Sequence, residues 1–267
     1  MGINHYENFP VASLLLPPRF RRPIALIYRF AREADDFADE GDLPASARLA
    51  QLEQFREQLR RIETGLSPDI PWFAELAAVI REHGLPVAAF TDLLSAFAQD
   101  VTRTRYADIS EVLDYCRRSA NPVGRLLLHL FRSTSEQNLG WSDSICSALQ
   151  LVNFWQDVAI DYARGRIYLP QDEMKRHGVT EQHIARRHCD DAWRALIQGQ
   201  IDRARAMLEA GAPLGRVLSG RIGLEIRATV GGGLRILEKL ERAHCDMFLQ
   251  RPVLKWHDWP VVMARAL

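Results

Sequence analysis

Two stretches of this chain place acidic side chains where a helix should be apolar. In Ile24 to Glu40 (IALIYRFAREADDFADE), Ile24, Ile27, Phe30, Ala31, Ala34 and Ala38 form an apolar side. Asp35 and Asp39 stand four residues apart, so they share one helix face with Cβ atoms about 5–6 Å from each other. Tyr28 and Arg32 lie close to that face. Two like charges at this spacing destabilise a helix by roughly 0.2–0.5 kcal/mol, so something must compensate. Solvation at an exposed helix end, just before Gly41, explains this pair equally well.

The second stretch is harder to explain by solvation. In Ala148 to Arg164 (ALQLVNFWQDVAIDYAR), Leu149, Leu151, Val152, Phe154, Trp155, Val158, Ala159 and Ile160 cover most of the circumference, as in a helix buried nearly all round. One polar line runs through it: Gln150, Asn153, Asp157, Asp161 and Arg164. Carboxylates inside an apolar helix are costly unless paired or bound to a cation. An amide one turn upstream adds a neutral oxygen. All-oxygen donor sets select hard ions such as Mg²⁺, which keeps waters and shares its shell with substrate phosphates. Facing one another across a bundle cavity, the two acid pairs could hold two or three Mg²⁺ ions around one diphosphate. The ions would neutralise a leaving diphosphate and ease C–O ionisation. Aromatic faces could then stabilise the carbocation. Tyr28, Phe30, Phe97, Phe131, Phe154, Trp155 and Phe248 are the candidates, two or three of them lining a cavity and the rest filling core.

The elements that must position these residues read as helices nearly throughout. Arg48 to Ile62, Trp72 to Glu82, Val87 to Asp100 and Asp191 to Ala210 repeat apolar residues at three- and four-residue spacing. Turn-forming residues separate them, among them Pro17-Pro18, Gly84-Leu85-Pro86, Gly178 and Gly211-Ala212-Pro213. Arg166 to Pro170 is the best candidate strand, and Pro170 closes it quickly. No composition shift or repeat marks a boundary, so residues 1–267 are expected to form one all-α domain of about ten helices.

Composition narrows the classes of function. The chain has 34 Lys+Arg against 34 Asp+Glu, so its formal charge is zero, which argues against a protein that binds phosphate backbones; no nucleic-acid partner is expected. No run of 18 apolar residues occurs, and the N-terminus lacks a secretory layout; a cytoplasmic location is the expectation. Cys116, Cys146, Cys189 and Cys245 form no CxxC and read as small apolar residues. His183 and His188, five apart, would not share a helix face, so a zinc site is not expected there. Gly231-Gly232-Gly233 follows no strand and reads as close helix packing rather than a dinucleotide fingerprint.

The chain resembles the squalene/phytoene synthase family from about Phe9 to Arg251. The carriers are Tyr28-x3-Arg32-x2-Asp35-Asp36-x2-Asp39, Asp100 with Thr104-Arg105-Tyr106, and Tyr115-Cys116 with Val123-Gly124. They continue with Gln150-x2-Asn153-x3-Asp157-x3-Asp161 and Gly165-Arg166-Ile167-Tyr168-Leu169-Pro170. The resemblance implies an all-α, single-domain isoprenoid-synthase bundle with a central cavity and Mg²⁺-dependent ionisation of prenyl diphosphates. By carry-over, Asp35, Asp39, Asn153, Asp157 and Asp161 are the implied metal ligands. Tyr28, Arg32, Asp35, Asp39, Asp157 and Asp161 are the implied catalytic set, and Phe9, Tyr28, Arg32, Arg117, Gln150 and Arg166 the implied substrate contacts.

Departures from the family pattern point to one branch. Arg117 stands where relatives that join two prenyl diphosphates carry an active-site tyrosine, Gln156 where they often have arginine, and Glu7 about where they have a diphosphate-binding lysine. These features, with Glu7 to Ser13 and Arg251-Pro252, resemble the hydroxysqualene synthase branch of the bacterial route to squalene and hopanoids. That branch ionises presqualene diphosphate, opens its cyclopropane and traps the cation with water, so no NADPH is expected. Three alternatives stay open: a head-to-head synthase joining two prenyl diphosphates, a head-to-tail elongase suggested by the DDxxD of Asp35 to Asp39, and a non-catalytic scaffold of the same fold. A second DDxxD is missing, and a scaffold has no need of two acid stripes. A C30 product also suggests peripheral contact with the inner face of a membrane, or handover to the next enzyme. Lys255 to Trp259 could touch lipid headgroups or simply pack as a tail.

Overall fold

A computed structural model describes residues 17–39, 43–249 and 251–267. Among these residues the chain forms thirteen α-helices, one 3₁₀ turn and no strand. In chain order the helices are α1 (Pro18–Asp39), α2 (Ala45–Glu63), α3 (Pro71–His83), α4 (Val87–Thr102), α5 (Ile109–Ser119), α6 (Asn121–Leu130) and α7 (Glu136–Ala163). There follow α8 (Gln171–Arg176), α9 (Glu181–Ala185), α10 (Asp191–Gly211), α11 (Leu214–Val217), α12 (Gly220–Arg242) and, after the 3₁₀ turn Trp256–Asp258, α13 (Trp259–Ala266). The excess over the expected ten comes from α8, α9 and α11, single-turn pieces too short to show a period.

Local chemistry sets the boundaries. Asp108, Ser135 and Asp190 cap α5, α7 and α10 by accepting the backbone N–H groups of Glu111, Asn138 and Trp193. At the other end of α3, Gly84 adopts φ +60°, the left-handed conformation that closes a helix. The stretch from Arg166 to Leu169 does not become a strand. Ile167 N–H donates to Thr104 O (2.9 Å) and Gln171 N–H to Tyr106 O (3.0 Å), which fastens it as an extended link beside the end of α4.

The core has two large halves. One gathers α1 to α4 around Phe30, Phe55, Phe73 and Phe90; the other gathers α5, α7, α10 and α12 around Trp155, Trp193 and Leu237. Phe30 and Trp155 are fully buried, Phe154 stacks on Tyr168 at 3.8 Å, and Phe248 packs on Trp193, so these four candidate aromatics are core. The three consecutive glycines of α12, Gly231 to Gly233, let helices approach closely, as expected. A Cβ on Gly233 would lie 3.0 Å from both Leu149 and Leu208, and one on Gly231 3.4 Å from the backbone of Val262. All four cysteines are unpaired thiols.

The helical-phase argument fails at the histidine cluster. The helix ends at Ala185 and the chain reverses through Arg187 at φ +52°, which brings the rings of His183 and His188 to 5.8 Å with Asp190 beside both. Even so, no group of three or more His, Cys, Asp or Glu side chains among the described residues is placed to hold a metal ion. Nor is any helix among them long and apolar enough to cross a membrane.

Candidate active site

Between the two core halves lies a cavity of about 340 Å³. Its walls are mainly apolar, from Ile24, Ile27, Val123, Leu127, Leu149, Ile222 and Ile226. Tyr28, Phe97 and Phe131 are the three predicted aromatics that reach it, and Tyr115 joins them. Tyr28, Arg32, Asp35, Gln150 and Asn153, all predicted site residues, line it together. On α1 the lining runs from Ile24 to Asp35, about 16 Å at 1.5 Å per residue.

The lining stops at Asp35 and Asn153; Asp39, Asp157, Asp161 and Arg166 do not line the cavity, but sit just beyond it, where the end of α1 is tied to the residues past α7. Arg164 Nη1 donates to Asp39 Oδ2 (3.0 Å) and Arg166 Nη1 to Asp39 Oδ1 (2.6 Å), which ties the end of α1 to the residues just past α7. Arg251 clamps Asp157 with two hydrogen bonds, Nη2 to Oδ2 at 2.9 Å and Nε to Oδ1. Arg32 pairs with Asp36 at 2.7 Å and stands 3.7 Å from Asp35.

Electrostatics shows that the acids face one another. Asp161 is pushed up to about 8, first by burial and then by Asp157, with Arg166 and Arg164 pulling down and Asp39 adding to the rise. Asp35 is pushed up to about 7, first by burial and then by Asp39 and Asp100, against the pull of Arg32. Its side chain is 38% exposed, but toward a cavity ringed by protein, which is why burial dominates. Asp39, at the end of α1, thus acts both on Asp35 of its own helix and on Asp161 of α7, and the two acid stripes meet at one place.

Asp100 is the acid that pattern reading left out of the site. It sits on α4, 6% exposed, and accepts from Tyr115 OH (2.5 Å) and Tyr168 OH (3.0 Å). Burial lifts it to about 6, opposed by the Tyr115 hydroxyl and Arg166. The signal was an acid inside the apolar run of α4, the same kind of evidence that picked out Asp157.

Two predicted substrate contacts are not in this assembly. Arg117 does not line the cavity; it turns outward, 56% exposed, and pairs with Asp114 at 2.8 Å. The reason is helix phase, because Tyr115 and Ser119 of α5 face inward and a position two residues from either points away. Phe9 lies outside the described residues, as does Glu7. Gln156 is buried and donates to Pro252 O at 2.5 Å, so it anchors the segment that carries Arg251.

The donor set fits Mg²⁺. Asp35, Asp39, Asn153, Asp157 and Asp161 offer oxygen only, and Asp35 and Asp161 carry the raised affinity for a positive charge that crowded carboxylates acquire. Mg²⁺ takes one or two carboxylates and completes its shell with water and phosphate, so a site without three converging acids suits it and would not suit zinc.

Comparison with known proteins gives the family. The squalene/phytoene synthase family model matches residues 4–259. The chain belongs to that family. A hydroxysqualene synthase of Rhodopseudomonas palustris is 36% identical over 239 residues, 88% of this chain and 80% of that one. A 15-cis-phytoene synthase of Synechococcus elongatus is 30% identical across 97% of this chain and 89% of its own length. Among solved structures, the squalene synthase HpnC of Alicyclobacillus acidocaldarius superposes with a TM-score of 0.84 at 35% identity, covering 91% of this chain and 90% of that one. In this squalene/phytoene synthase the fold class and the resemblance expected from sequence are therefore both established.

Proposed function

We propose that this chain ionises presqualene diphosphate, opens its cyclopropane ring and captures the resulting cation with water to give hydroxysqualene and diphosphate. One observation carries the reading: two acid-bearing helix ends meet at the polar end of a deep apolar cavity with aromatic walls. Relatives named hydroxysqualene synthase support the choice of branch.

Asp35, Asp39, Asn153, Asp157 and Asp161 would hold Mg²⁺ together with the diphosphate. The metal, when bound, neutralises the leaving group and so lowers the barrier to C–O cleavage. The chain's own residues do the rest. Arg32, at the cavity wall beside Asp35, is placed to bind a diphosphate oxygen, and Gln150 and Asn153 offer amide hydrogen bonds one turn apart. Arg166, 10% exposed, holds Asp39 in place from behind. As the C–O bond breaks, its electron pair leaves with the diphosphate. Tyr28, Phe97 and Phe131 present ring faces to the hydrocarbon cation, and the apolar walls hold the skeleton away from bulk water until one molecule adds at carbon and loses its proton. The apolar product would pass to a membrane surface or to the next enzyme.

Purified protein with Mg²⁺ and presqualene diphosphate, without NADPH, should yield a C30 alcohol. Squalene appearing only when NADPH is added would overturn the water-capture step. A second reading, condensation of two prenyl diphosphates, is favoured by the full-length similarity to a protein named 15-cis-phytoene synthase. Farnesyl diphosphate alone separates the two, because rapid presqualene diphosphate formation from it would support condensation.

A further inference from the structure

The cavity is polar at both ends, and the second polar end has no part in the chemistry above. The course of α12 locates it. Gly233 packs against Leu149 of α7. Just past the end of α12, Trp193 Nε1 donates to Cys245 O, and Arg251 farther on reaches Asp157. Thus α12 runs parallel to α7, and its early residues lie at the end remote from the aspartates. Arg227 confirms the level, because its Nη1 donates to Gly215 O at 2.6 Å, beyond the end of α10. Phe131, whose ring meets Phe20 at 5.1 Å, lines the cavity at the same remote end.

Glu225 and Thr229 stand one turn apart on the face of α12 that lines the cavity. They are 9% and 6% exposed. Their neighbours on this face are Ile222 and Ile226, and the wall opposite carries Ile24 and Phe131. A carboxylate buried in the wall of a hydrocarbon slot is costly to strip of its polar partners. An apolar wall rejects an added methylene weakly, because side chains shift to admit it. A polar floor rejects it sharply, because a buried polar group is left unsatisfied.

We infer that Glu225, with Thr229, is the floor that sets the length of prenyl skeleton this site accepts. An arm that ends above Thr229 touches only apolar wall. An arm one isoprene unit longer must press its terminal methyls onto the Glu225 carboxylate. Glu225 is a specificity-determining residue, remote from the bond that breaks. This inference rests on the reading of the cavity as a prenyl diphosphate site.

The test is the ratio of kcat/KM for the C40 homologue of presqualene diphosphate to that for presqualene diphosphate itself. Glu225→Ala should raise this ratio at least tenfold, and Glu225→Gln, which keeps both length and polarity, should leave it within threefold of the wild type. A Glu225→Ala ratio within threefold of the wild type would overturn the inference; should that variant fail to fold, Glu225→Ser carries the same expectation. A ratio cancels losses of folded enzyme, so a merely structural role would not move it. The readout is skeleton length, whatever functional group the product bears. If presqualene diphosphate is not consumed at all, the reaction assigned above is wrong. Equilibrium binding of unreactive farnesyl and geranylgeranyl thiodiphosphates, followed by tryptophan fluorescence, then still measures the same length preference.

Discussion

Replacing Asp161 with asparagine should make the metal-free protein more stable while destroying its activity. Asp161 is partly buried on the last turns of α7, and its carboxyl holds its proton to about 8 instead of the ordinary 3.8. A carboxyl with a raised folded value weakens folding as pH climbs, because the unfolded chain gives up the proton first. The penalty begins near pH 4, grows through neutrality and levels off above pH 8. At pH 7 its ceiling is about 4 kcal/mol, and screening by water in the cavity reduces it to roughly 2 kcal/mol. Asparagine is nearly the same shape and carries no charge. In EDTA, Asp161→Asn should therefore melt about 4–6 °C above the wild type at pH 7, by the scaling for a domain of this size. The gap should shrink toward zero at pH 4.5. Turnover with Mg²⁺ should fall at least about a hundredfold, the scale of one lost charge-stabilising contact. Thermal denaturation across pH, paired with a product assay, reads both effects. A variant that melts lower than the wild type at pH 7, or one that keeps normal turnover, would refute the reasoning.

The remaining expectations address the cation, the clamp on Asp157 and the frame. Binding of Mg²⁺ with a diphosphate analogue at pH 7 should release protons, because Asp161 is mostly and Asp35 about half protonated at that pH; calorimetry in buffers of different ionisation enthalpy counts them, and zero release would be the contrary result. Arg251→Gln should lower the Mg²⁺ concentration for half-maximal activity, since Arg251 occupies both oxygens of Asp157 and competes with a cation for them. Asp258, wholly buried, accepts from Arg235 Nε (2.8 Å), Lys239 Nζ (2.5 Å) and Lys255 N–H (2.8 Å). Asp258→Asn should cost about 3–5 kcal/mol on thermal melting; these partners hold the carboxyl well below its usual range, so the loss is constant above pH 4 and fades only as acid protonates the wild-type group. Gly223→Ala should destabilise severely on the same measurement, because its Cβ would fall 1.9 Å from the carbonyl oxygen of Leu218, a backbone atom that cannot swing aside.

How much of this was legible in the sequence depends on the range of the interaction. Helices of four turns or more announce themselves by period, and Arg48 to Ile62 and Asp191 to Ala210 fall inside α2 and α10. Asp35 with Asp39 and Asp157 with Asp161 were legible because each pair violates the expected apolarity of its own helix. The meeting of the pairs was expected from the family resemblance and not from either helix's own pattern, since it depends on Arg164 and Arg166 reaching Asp39 across more than a hundred residues of chain. Arg117 misled because alignment with a motif says nothing of helix phase. His183 and His188 misled in the opposite sense, because a phase argument holds only while the helix continues. Asp100 obeyed the rule that exposed Asp157, but it lacks a second acid one turn away to call attention to it.

The site divides its acids into two kinds, and the division bears on how it would load. Asp39 and Asp157, one from each helix, are held by arginine. Asp35 and Asp161, one turn from each, are pushed up first by burial and then by the neighbouring acids. A divalent cation can replace their protons without displacing a close arginine clamp, since Arg32 stands 3.7 Å from Asp35, so Asp35 and Asp161 are the natural first contacts. Recruiting Asp39 or Asp157 afterwards turns Arg164, Arg166 or Arg251 away from its carboxylate and makes that guanidinium available to a diphosphate. On this ordering, Asp157→Asn leaves the first cation contact largely intact and weakens the diphosphate-dependent stage. Asp161→Asn weakens both. Titrating Mg²⁺ with and without pyrophosphate on the two variants separates these stages, and equal losses in both titrations for Asp157→Asn would contradict the ordering.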